Sequence, residues 1–215
     1  MRRFAVIIPV KGKNHKSRLA KWLGVDEREE LARLLLADLI RPLRASGLLR
    51  QAYVVSSSQE MISVAEAQGG QGIVESGDRG FNSAVELGME ELKDFEEFLI
   101  LPSDLPLLTR ADLRAAVAMR ESGIHTVISP SLAFDGTNLL SYSRDKPLQL
   151  SYDDDSFWNH VSNAGKAGLS MSVYTSRGVM TDVDSEGDVA RLLRLSVNRE
   201  SIDFLRRVWP KAGQR

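Results

Sequence analysis

The sequence predicts an α/β fold: a mostly parallel, Rossmann-like sheet with helices on both faces. Short apolar runs alternate with segments in which apolar residues recur at helical spacing, from residue 4 to residue 129. The runs are continuously apolar, as strands are when helices cover both faces of a parallel sheet. Strands that alternate with helices pair in parallel through right-handed crossovers. We therefore expect ligands at the carboxyl edge of the sheet, where open α/β sheets bind them.

Each element of the alternation has its own signal. The predicted strands cover residues 4–10, 53–55, 73–74, 98–101 and 126–129, and the predicted helices cover 26–44, 59–68, 81–93 and 109–121. Asp26 is expected to cap the first helix, and Pro42 and Gly47 to end it. Thr109 and Asp112 have the spacing of a capping box at the start of the fourth helix.

The regular alternation stops at residue 130. An excursion over about 130–168 contains a polar turn at 135–140 and a helix that begins near Tyr152 with an acidic first turn. A strand, a helix capped by Ser185 and a short amphipathic helix follow, at 169–174, 185–195 and 199–208. We predict one domain over residues 1–215, with specificity carried by the excursion.

Composition narrows the functional classes. The 215 residues are 43% hydrophobic and 27% charged, with a formal net charge of −1. This balance argues against a nucleic-acid or membrane surface, because proteins of those classes are usually strongly basic. No apolar stretch is long enough to span a membrane. The absence of cysteine excludes disulfides and thiolate sites and fits a cytoplasmic protein.

One carboxylate stands out in this pattern. Asp104 follows the buried strand 98–101, in a proline-flanked turn between apolar residues. A charged side chain at the carboxyl end of a buried parallel strand is costly unless a cation or a donor satisfies it. Ligands of open α/β sheets bind at this edge. The alternative is that Asp104 caps the turn or the helix that follows.

A cationic loop follows the first strand. It includes Lys11, Lys16 and Arg18, and it departs from the Walker A pattern Gly-x-x-x-x-Gly-Lys-[Ser/Thr]. A cationic loop at this position is well placed to neutralise a polyphosphate, and a solvated charge run is the alternative. Asn82 and Ser83 follow a glycine-containing loop, where they would either cap the third helix or contact a ligand.

A second acidic cluster lies far along the chain. Asp182 and Asp184 are two residues apart, so in extended backbone their carboxylates point the same way. If this turn lies beside Asp104, like-charge repulsion opposes the cluster unless a cation sits between the carboxylates. An all-oxygen site with open positions suits Mg²⁺, which takes further ligands from water and substrate phosphates. Together with the cationic loop, the cluster predicts phosphoryl or nucleotidyl transfer.

Several motifs, in chain order, resemble those of one family. They are Ile8-Pro9-Val10-Lys11 with Lys16-Ser17-Arg18-Leu19, Pro102-Ser103-Asp104-Leu105-Pro106, Asp135-Gly136-Thr137-Asn138, Ser156-Phe157-x-x-His160 and Asp182-Val183-Asp184-Ser185. In these motifs the chain resembles the 2-phospho-L-lactate guanylyltransferases of coenzyme F-420 biosynthesis. That family shares a GT-A-like, nucleotide-diphospho-sugar transferase architecture with the molybdenum-cofactor guanylyltransferases. The aspartate motifs are generic to this fold, whereas Gly-Thr-Asn and Ser-Phe-x-x-His are specific.

The resemblance implies transfer of GMP from GTP to 2-phospho-L-lactate, giving lactyl-2-diphospho-5'-guanosine and pyrophosphate, with Mg²⁺. It implies a metal site at Asp104 and Asp184, with Asp182 beside them. The implied catalytic residues are Asp104, Lys11 and Arg18; the GTP ligands are Lys11, Lys16 and Arg18; the acceptor ligands are Thr137, Asn138, Ser156 and His160. Asn82 and Ser83 are candidates for GTP contacts near the base from their place in the sequence. A homodimer is also implied, with subunit contacts expected in the excursion.

The chain departs from the family pattern at one place. Residues 152–157 read Tyr-Asp-Asp-Asp-Ser-Phe, where the family usually has Phe-Gly-x-x-Ser-Phe. Three carboxylates beside a dianionic acceptor are unfavourable unless they point away or hold metal. Other activities stay open: a nucleotidyltransferase with another nucleotide or acceptor, such as phosphoenolpyruvate, a sugar phosphate or the molybdenum cofactor; a glycosyltransferase using Asp182-Val183-Asp184; or a nucleotide-binding module without turnover.

Overall fold

The computed structural model describes residues 4–209 and contains one seven-stranded sheet, in the order β3-β2-β1-β4-β6-β5-β7. The strands are β1 (Phe4–Pro9), β2 (Ala52–Ser56), β3 (Gln71–Val74), β4 (Glu97–Ile100), β5 (Thr126–Pro130), β6 (Thr137–Ser143) and β7 (Met171–Val173). The helices are α1 (Val25–Ser46), α2 (Gln59–Ala67), α3 (Phe81–Glu91), α4 (Arg110–Glu121), α5 (Ser156–Lys166), α6 (Arg177–Met180), α7 (Glu186–Leu193) and α8 (Glu200–Val208).

The sheet is mixed but mostly parallel, which confirms the predicted fold class. β1 pairs in parallel with both β2 and β4, while β6 lies antiparallel between β4 and β5. The prediction of a polar turn at 135–140 is therefore wrong, since most of these residues belong to β6. The segment Thr-Asn-Leu-Leu-Ser-Tyr-Ser does not have the continuous apolar run of a buried strand. It is nevertheless buried, because its polar side chains form hydrogen bonds within the protein. For example, the Ser141 hydroxyl accepts a hydrogen bond from the Val127 amide at 2.7 Å.

Helices cover both faces of the sheet, as predicted. Val6 and Ile8 of β1 pack toward α1, α2 and α4, whereas Ala5 and Ile7 face α3. This alternation is the period of two that a strand buried on both faces requires. A further apolar cluster joins α1, α7 and α8 beside the sheet and contains Leu19 and Val183. In residues 4–209, no helix is both long enough and apolar enough to cross a membrane.

The helix ends correct several expectations. α1 begins after Gly24, whose amide is bound by Glu27, so Asp26 lies in the first turn and is not the cap. The helix continues through Pro42 and ends at Gly47, which adopts φ 83°. α5 begins at Ser156, later than predicted, and the short helix α6 was not predicted. The capping boxes of Thr109 with Asp112 and Ser185 with Asp188 are confirmed.

Candidate active site

A cleft of about 930 Å³ lies along the carboxyl edge of the sheet. Loops that are far apart in the sequence meet there, because the strands to which they connect end at this edge of the sheet. Of the predicted site residues, those that line the cleft are Lys11, Lys16, Arg18, Asp104, Thr137, Asn138, Ser156, Asp182 and Asp184. Asn82, Ser83 and His160 are not among its lining residues.

The centre of the cleft is an ion-pair cluster around Lys16. Its Nζ lies 2.5 Å from Asp104 Oδ2 and 3.1 Å from Asp184 Oδ1. Arg18 Nη1 lies 3.8 Å from Asp184 Oδ2. The fold therefore brings together two carboxylates that are 80 residues apart in the chain and places both beside one cation. Since Thr109 caps α4, Asp104 does not cap the helix that follows it.

Burial and charge shift the ionisation of this cluster. Burial disfavours the charged form of Lys16, but Asp104 and Asp184 outweigh that cost and raise the pKa of Lys16. Lys16 in turn lowers the pKa of Asp184. Burial, with Asp104 and Asp184 nearby, raises the pKa of Asp182 to about 7. The cluster thus holds more carboxyl groups than its buried lysine neutralises.

The donor set fits a divalent cation held by two carboxylates. Asp104 Oδ1 is buried without a hydrogen-bond partner, and the other oxygen of this carboxylate shares one ammonium with Asp184. Mg²⁺ typically takes one or two carboxylates and completes its octahedron with water and phosphate oxygens. Among residues 4–209, no group of three or more His, Asp or Glu side chains is arranged to hold a metal, so a role for Asp182 as a third ligand stays a prediction.

The turn that carries Asp184 is held by α7. The carboxylate of Asp188 accepts hydrogen bonds from the amides of Asp184 and Ser185, at 3.1 and 2.7 Å, and also pairs with Arg191. Arg191 lines the cleft beside this turn. Sequence reasoning did not include Arg191, although its i+3 spacing from the predicted capping residue Asp188 places both on one helix face.

The far side of the cleft is built from neutral donors. His160 Nε2 accepts a hydrogen bond from the Ser151 amide at 3.0 Å, so the neutral ring carries its proton on Nδ1, 3.0 Å from Thr137 Oγ1. The Ser156 hydroxyl donates to the same oxygen at 3.2 Å. Thr137 Oγ1 accepts both bonds, which leaves its own hydroxyl proton available to an anion in the cleft.

His160 lies behind this pair and not in the cleft. It is fully buried, and burial lowers its pKa to about 4, so it is neutral at pH 7. His160 does not line the cleft, and its predicted role in binding the acceptor stays a prediction. The sequence motif identifies His160 as a candidate site residue but does not show that it lies behind the cleft. Its spacing from Ser156 only places the two residues on one side of α5.

The two predicted asparagines brace other segments. Asn138 donates to the Val179 carbonyl at 3.1 Å, which ties β6 to α6. Asn82 accepts from the Tyr152 amide at 2.9 Å and lies 3.5 Å from Asp153 Oδ2, so it joins α3 to the 152–155 segment. It does not cap α3, whose N-terminal flanking residue is Gly80. Ser83 lies within α3 and is also not the cap.

Comparison with known proteins adds the decisive observation. Residues 4–211 match the sequence profile of the family described as "Guanylyl transferase CofC like". The chain belongs to this guanylyltransferase family. The family predicted from the motifs is thereby confirmed, and its chemistry selects nucleotidyl transfer with GTP over the glycosyltransferase alternative.

Relatives in the family differ in acceptor. The chain is 31% identical over 204 residues to a 2-phospho-L-lactate guanylyltransferase of Methanothermobacter thermautotrophicus, covering 94% of this chain and 89% of the relative. It is 36% identical over 191 residues to a phosphoenolpyruvate guanylyltransferase of Rubrobacter xylanophilus, covering 86% and 91%. Both relatives match nearly full length, so guanylyl transfer is common to them while the acceptor is not.

Solved structures share the fold at low identity. A protein of Desulfovibrio desulfuricans, whose description suggests a nucleotide-diphospho-sugar transferase, superposes with a TM-score of 0.75 at 17% identity, covering 96% of this chain and 95% of that one. A CMP-2-keto-3-deoxy-manno-octonic acid synthetase complexed with CTP superposes with a TM-score of 0.60 at 12% identity, covering 88% and 96%. These likenesses confirm the predicted architecture of the guanylyltransferase.

Proposed function

We propose that the protein transfers GMP from GTP to 2-phospho-L-lactate, releasing pyrophosphate. One observation carries the proposal: a single cleft contains an acidic and cationic cluster suited to a metal-bound triphosphate, and the Thr137–Ser156 hydroxyl pair suited to an anionic acceptor. These two groups are the halves that a nucleotidyl transfer between two anions requires. The motifs that carry the second half, Gly-Thr-Asn and Ser-Phe-x-x-His, are those by which the chain resembles the phospholactate enzymes.

In this reaction a phosphate oxygen of the acceptor attacks the α-phosphorus of GTP. A new P–O bond forms as the bond from the α-phosphorus to the bridging oxygen of pyrophosphate breaks, and that oxygen takes the electron pair. No general base is needed, because a phosphomonoester with a second pKa near 6 is largely ionised at pH 7. Of the histidines near the cleft, His15 lines it, while His160 is fully buried behind Thr137 and is not placed to take a proton from the acceptor.

The protein's part is to align two anions that repel each other and to stabilise the leaving group. Asp104 and Asp184 would hold Mg²⁺, which, when bound, neutralises charge on the phosphates. Lys11, Lys16 and Arg18 would bind the triphosphate. Thr137, oriented by His160, would donate its hydroxyl proton to the acceptor, and Ser156 would donate to it by turning its own hydroxyl proton from Thr137 Oγ1 to the acceptor. Fixing both reactants in line converts a bimolecular encounter into a step within one complex.

Phosphoenolpyruvate is a second candidate acceptor. The relative from Rubrobacter xylanophilus that carries this name is 36% identical, and phosphoenolpyruvate presents the same phosphate and carboxylate to a hydroxyl pair. The two acceptors differ at the carbon between those groups. The replacement of the family's Phe-Gly by Tyr152-Asp153 lies beside this part of the cleft, so it is where discrimination would be decided.

The test is pyrophosphate release from a panel of nucleotides and acceptors. GTP, ATP and CTP are each mixed with 2-phospho-L-lactate, phosphoenolpyruvate, a sugar phosphate or no acceptor, with Mg²⁺ throughout. We expect turnover with GTP and 2-phospho-L-lactate at a kcat/KM at least tenfold above every other pair. A higher kcat/KM with phosphoenolpyruvate would reassign the acceptor. Binding of GTP without turnover across the panel would favour a nucleotide-binding module.

A homodimer is proposed with the same activity. The excursion exposes apolar side chains at Leu132, Phe134 and Trp158, which supports a subunit contact there. Sedimentation equilibrium of the wild type and of Trp158→Ser tests it: a dimer that dissociates in the variant supports the contact, and a monomeric wild type excludes it.

A further inference from the structure

The position of Lys16 is more specific than a role in phosphate binding requires. A lysine that only binds a polyphosphate would extend into the cleft, as the exposed Arg18 does. Lys16 is instead a largely buried side chain, 10% exposed, between Asp104 and Asp184. These are the two carboxylates that the donor set assigns to the divalent ion. Its ammonium therefore occupies the space between the proposed metal ligands.

The backbone around Lys16 is held in an unusual conformation. Lys16 and Asn14 both have positive φ, 49° and 54°, in a loop where neither is glycine. Left-handed backbone at such residues persists when surrounding contacts over-determine it. The contacts are present on both sides: Leu19 is fully buried in the α1–α7–α8 cluster, and a Cβ added at Gly12 would lie 1.9 Å from Ser57 Oγ. The loop thus aims Lys16 at the carboxylates.

We propose that Lys16 is an internal counter-ion that the divalent ion displaces, so that metal binding and release of Lys16 toward the phosphates are one coupled event. This inference rests on the proposed function only in placing a divalent ion at Asp104 and Asp184. An ammonium 2.5 Å from one ligand and 3.1 Å from the other repels a second cation at the same ligands. The ammonium must leave Asp104 and Asp184 for the metal to bind both.

The exchange has a consequence for the order of binding. Without nucleotide, the displaced ammonium loses its ion pairs with Asp104 and Asp184 and gains no phosphate oxygen, so the metal alone binds weakly. With nucleotide, the displaced ammonium gains phosphate oxygens, so metal and nucleotide favour each other's binding by the same factor. Lys16 would in this way offset the repulsion between Asp104 and Asp184 between turnovers and deliver a cation to the triphosphate when the metal arrives.

The test is Mn²⁺ affinity in the absence of any nucleotide or acceptor, measured by electron paramagnetic resonance of the free ion. We expect Lys16→Met to bind Mn²⁺ at least tenfold more tightly than the wild type. Lys16→Arg, which keeps a cation, should stay within threefold of the wild type. The matched control is Lys13→Met, which removes an exposed cation from the same loop. Equal or weaker Mn²⁺ binding by Lys16→Met would overturn the proposal.

A second measurement uses the wild type and does not depend on whether a variant folds. Lysine acetylation is followed residue by residue by mass spectrometry, with and without saturating Mn²⁺. Acetylation of Lys16 should be slow in the metal-free protein and rise at least fivefold with Mn²⁺, while that of Lys13 stays constant. Unchanged labelling of Lys16 would exclude displacement. Neither measurement includes an acceptor, so an error in the proposed guanylyl transfer would appear in the pyrophosphate panel and not here.

Discussion

The two halves of the cleft are built by different physics. The phosphate half is built around Lys16, which forms ion pairs with Asp104, 88 residues later in the sequence, and with Asp184, 168 residues later. The acceptor half consists of neutral side chains, in which His160, Thr137 and Ser156 share two hydrogen bonds. We expect both halves to bind anions, the first through charged side chains and a divalent ion and the second through oriented hydrogen-bond donors.

This difference separates catalytic power from specificity. Charge in the first half acts on any triphosphate and grows in effect in a desolvated site, which suits stabilisation of a leaving group. Fixed donors in the second half recognise where an acceptor's oxygens lie, which suits selection. Substitutions in the two halves should therefore change different kinetic constants.

The largest effect is expected in the phosphate half. Asp104→Asn removes one of two carboxylates available to the divalent ion, and kcat/KM for pyrophosphate release should fall by about 100-fold or more. The circular dichroism spectrum should be that of the wild type, since Asp104 caps no helix. Asp182→Asn is the comparison, and it should lower kcat/KM less, because Asp182 does not share the Lys16 ammonium. Unchanged turnover of Asp104→Asn would remove the metal hypothesis.

The next effect lies in the acceptor half. Ser156→Ala and Thr137→Val each remove a side-chain hydroxyl that would bind the anionic acceptor. Hydrogen bonds to charged groups contribute about 1.5–3 kcal/mol. The KM for the acceptor should rise about tenfold or more, while the KM for GTP stays within twofold. Ser151→Ala is the matched control, because Ser151 contacts His160 through its backbone amide. A parallel rise in both KM values would contradict the division into halves.

His160 gives the acceptor half a pH dependence of stability. Its pKa falls from 6.5 to about 4 on folding, so between these values the unfolded chain binds more protons. The contribution to stability is therefore complete above pH 6.5 and declines as the pH falls toward 4. Urea denaturation should show that the stability advantage of wild type over His160→Asn shrinks by roughly 1.5 kcal/mol between pH 6.5 and 5. A stability advantage that stays constant over this pH range would contradict the lowered pKa of His160.

The smallest effect concerns the three aspartates at 153–155, which stand where the family usually has Gly-x-x. Asp153→Asn removes an exposed negative charge near the acceptor half, and the KM for the acceptor should fall about two- to threefold at low ionic strength. The effect should vanish in roughly 0.5 M salt, where the Debye length is only a few Å. Asp26→Asn, on α1 and not lining the cleft, should leave KM unchanged. A rise in KM would mean that Asp153 contributes a favourable contact.

The accuracy of the sequence predictions follows the range of the interactions involved. Local capping boxes at Thr109 and Ser185 were predictable because each depends on residues three apart. β6 was not, because its serine and asparagine side chains find partners on β5, β4 and α6 that no local pattern reveals. The buried position of His160 was not predictable for a similar reason, since its partners are Thr137 and the Ser151 amide.

The sequence by itself determined the parallel α/β core, the family and the chemical character of the cleft, because apolar periodicity and motif residues are local properties. Only the tertiary structure decided which charges meet. The ammonium of Lys16 lies between Asp104 and Asp184 since parallel strands end at one edge of the sheet, and the contact depends on strand order. Strand order is set by the packing of the whole chain, which no single segment encodes.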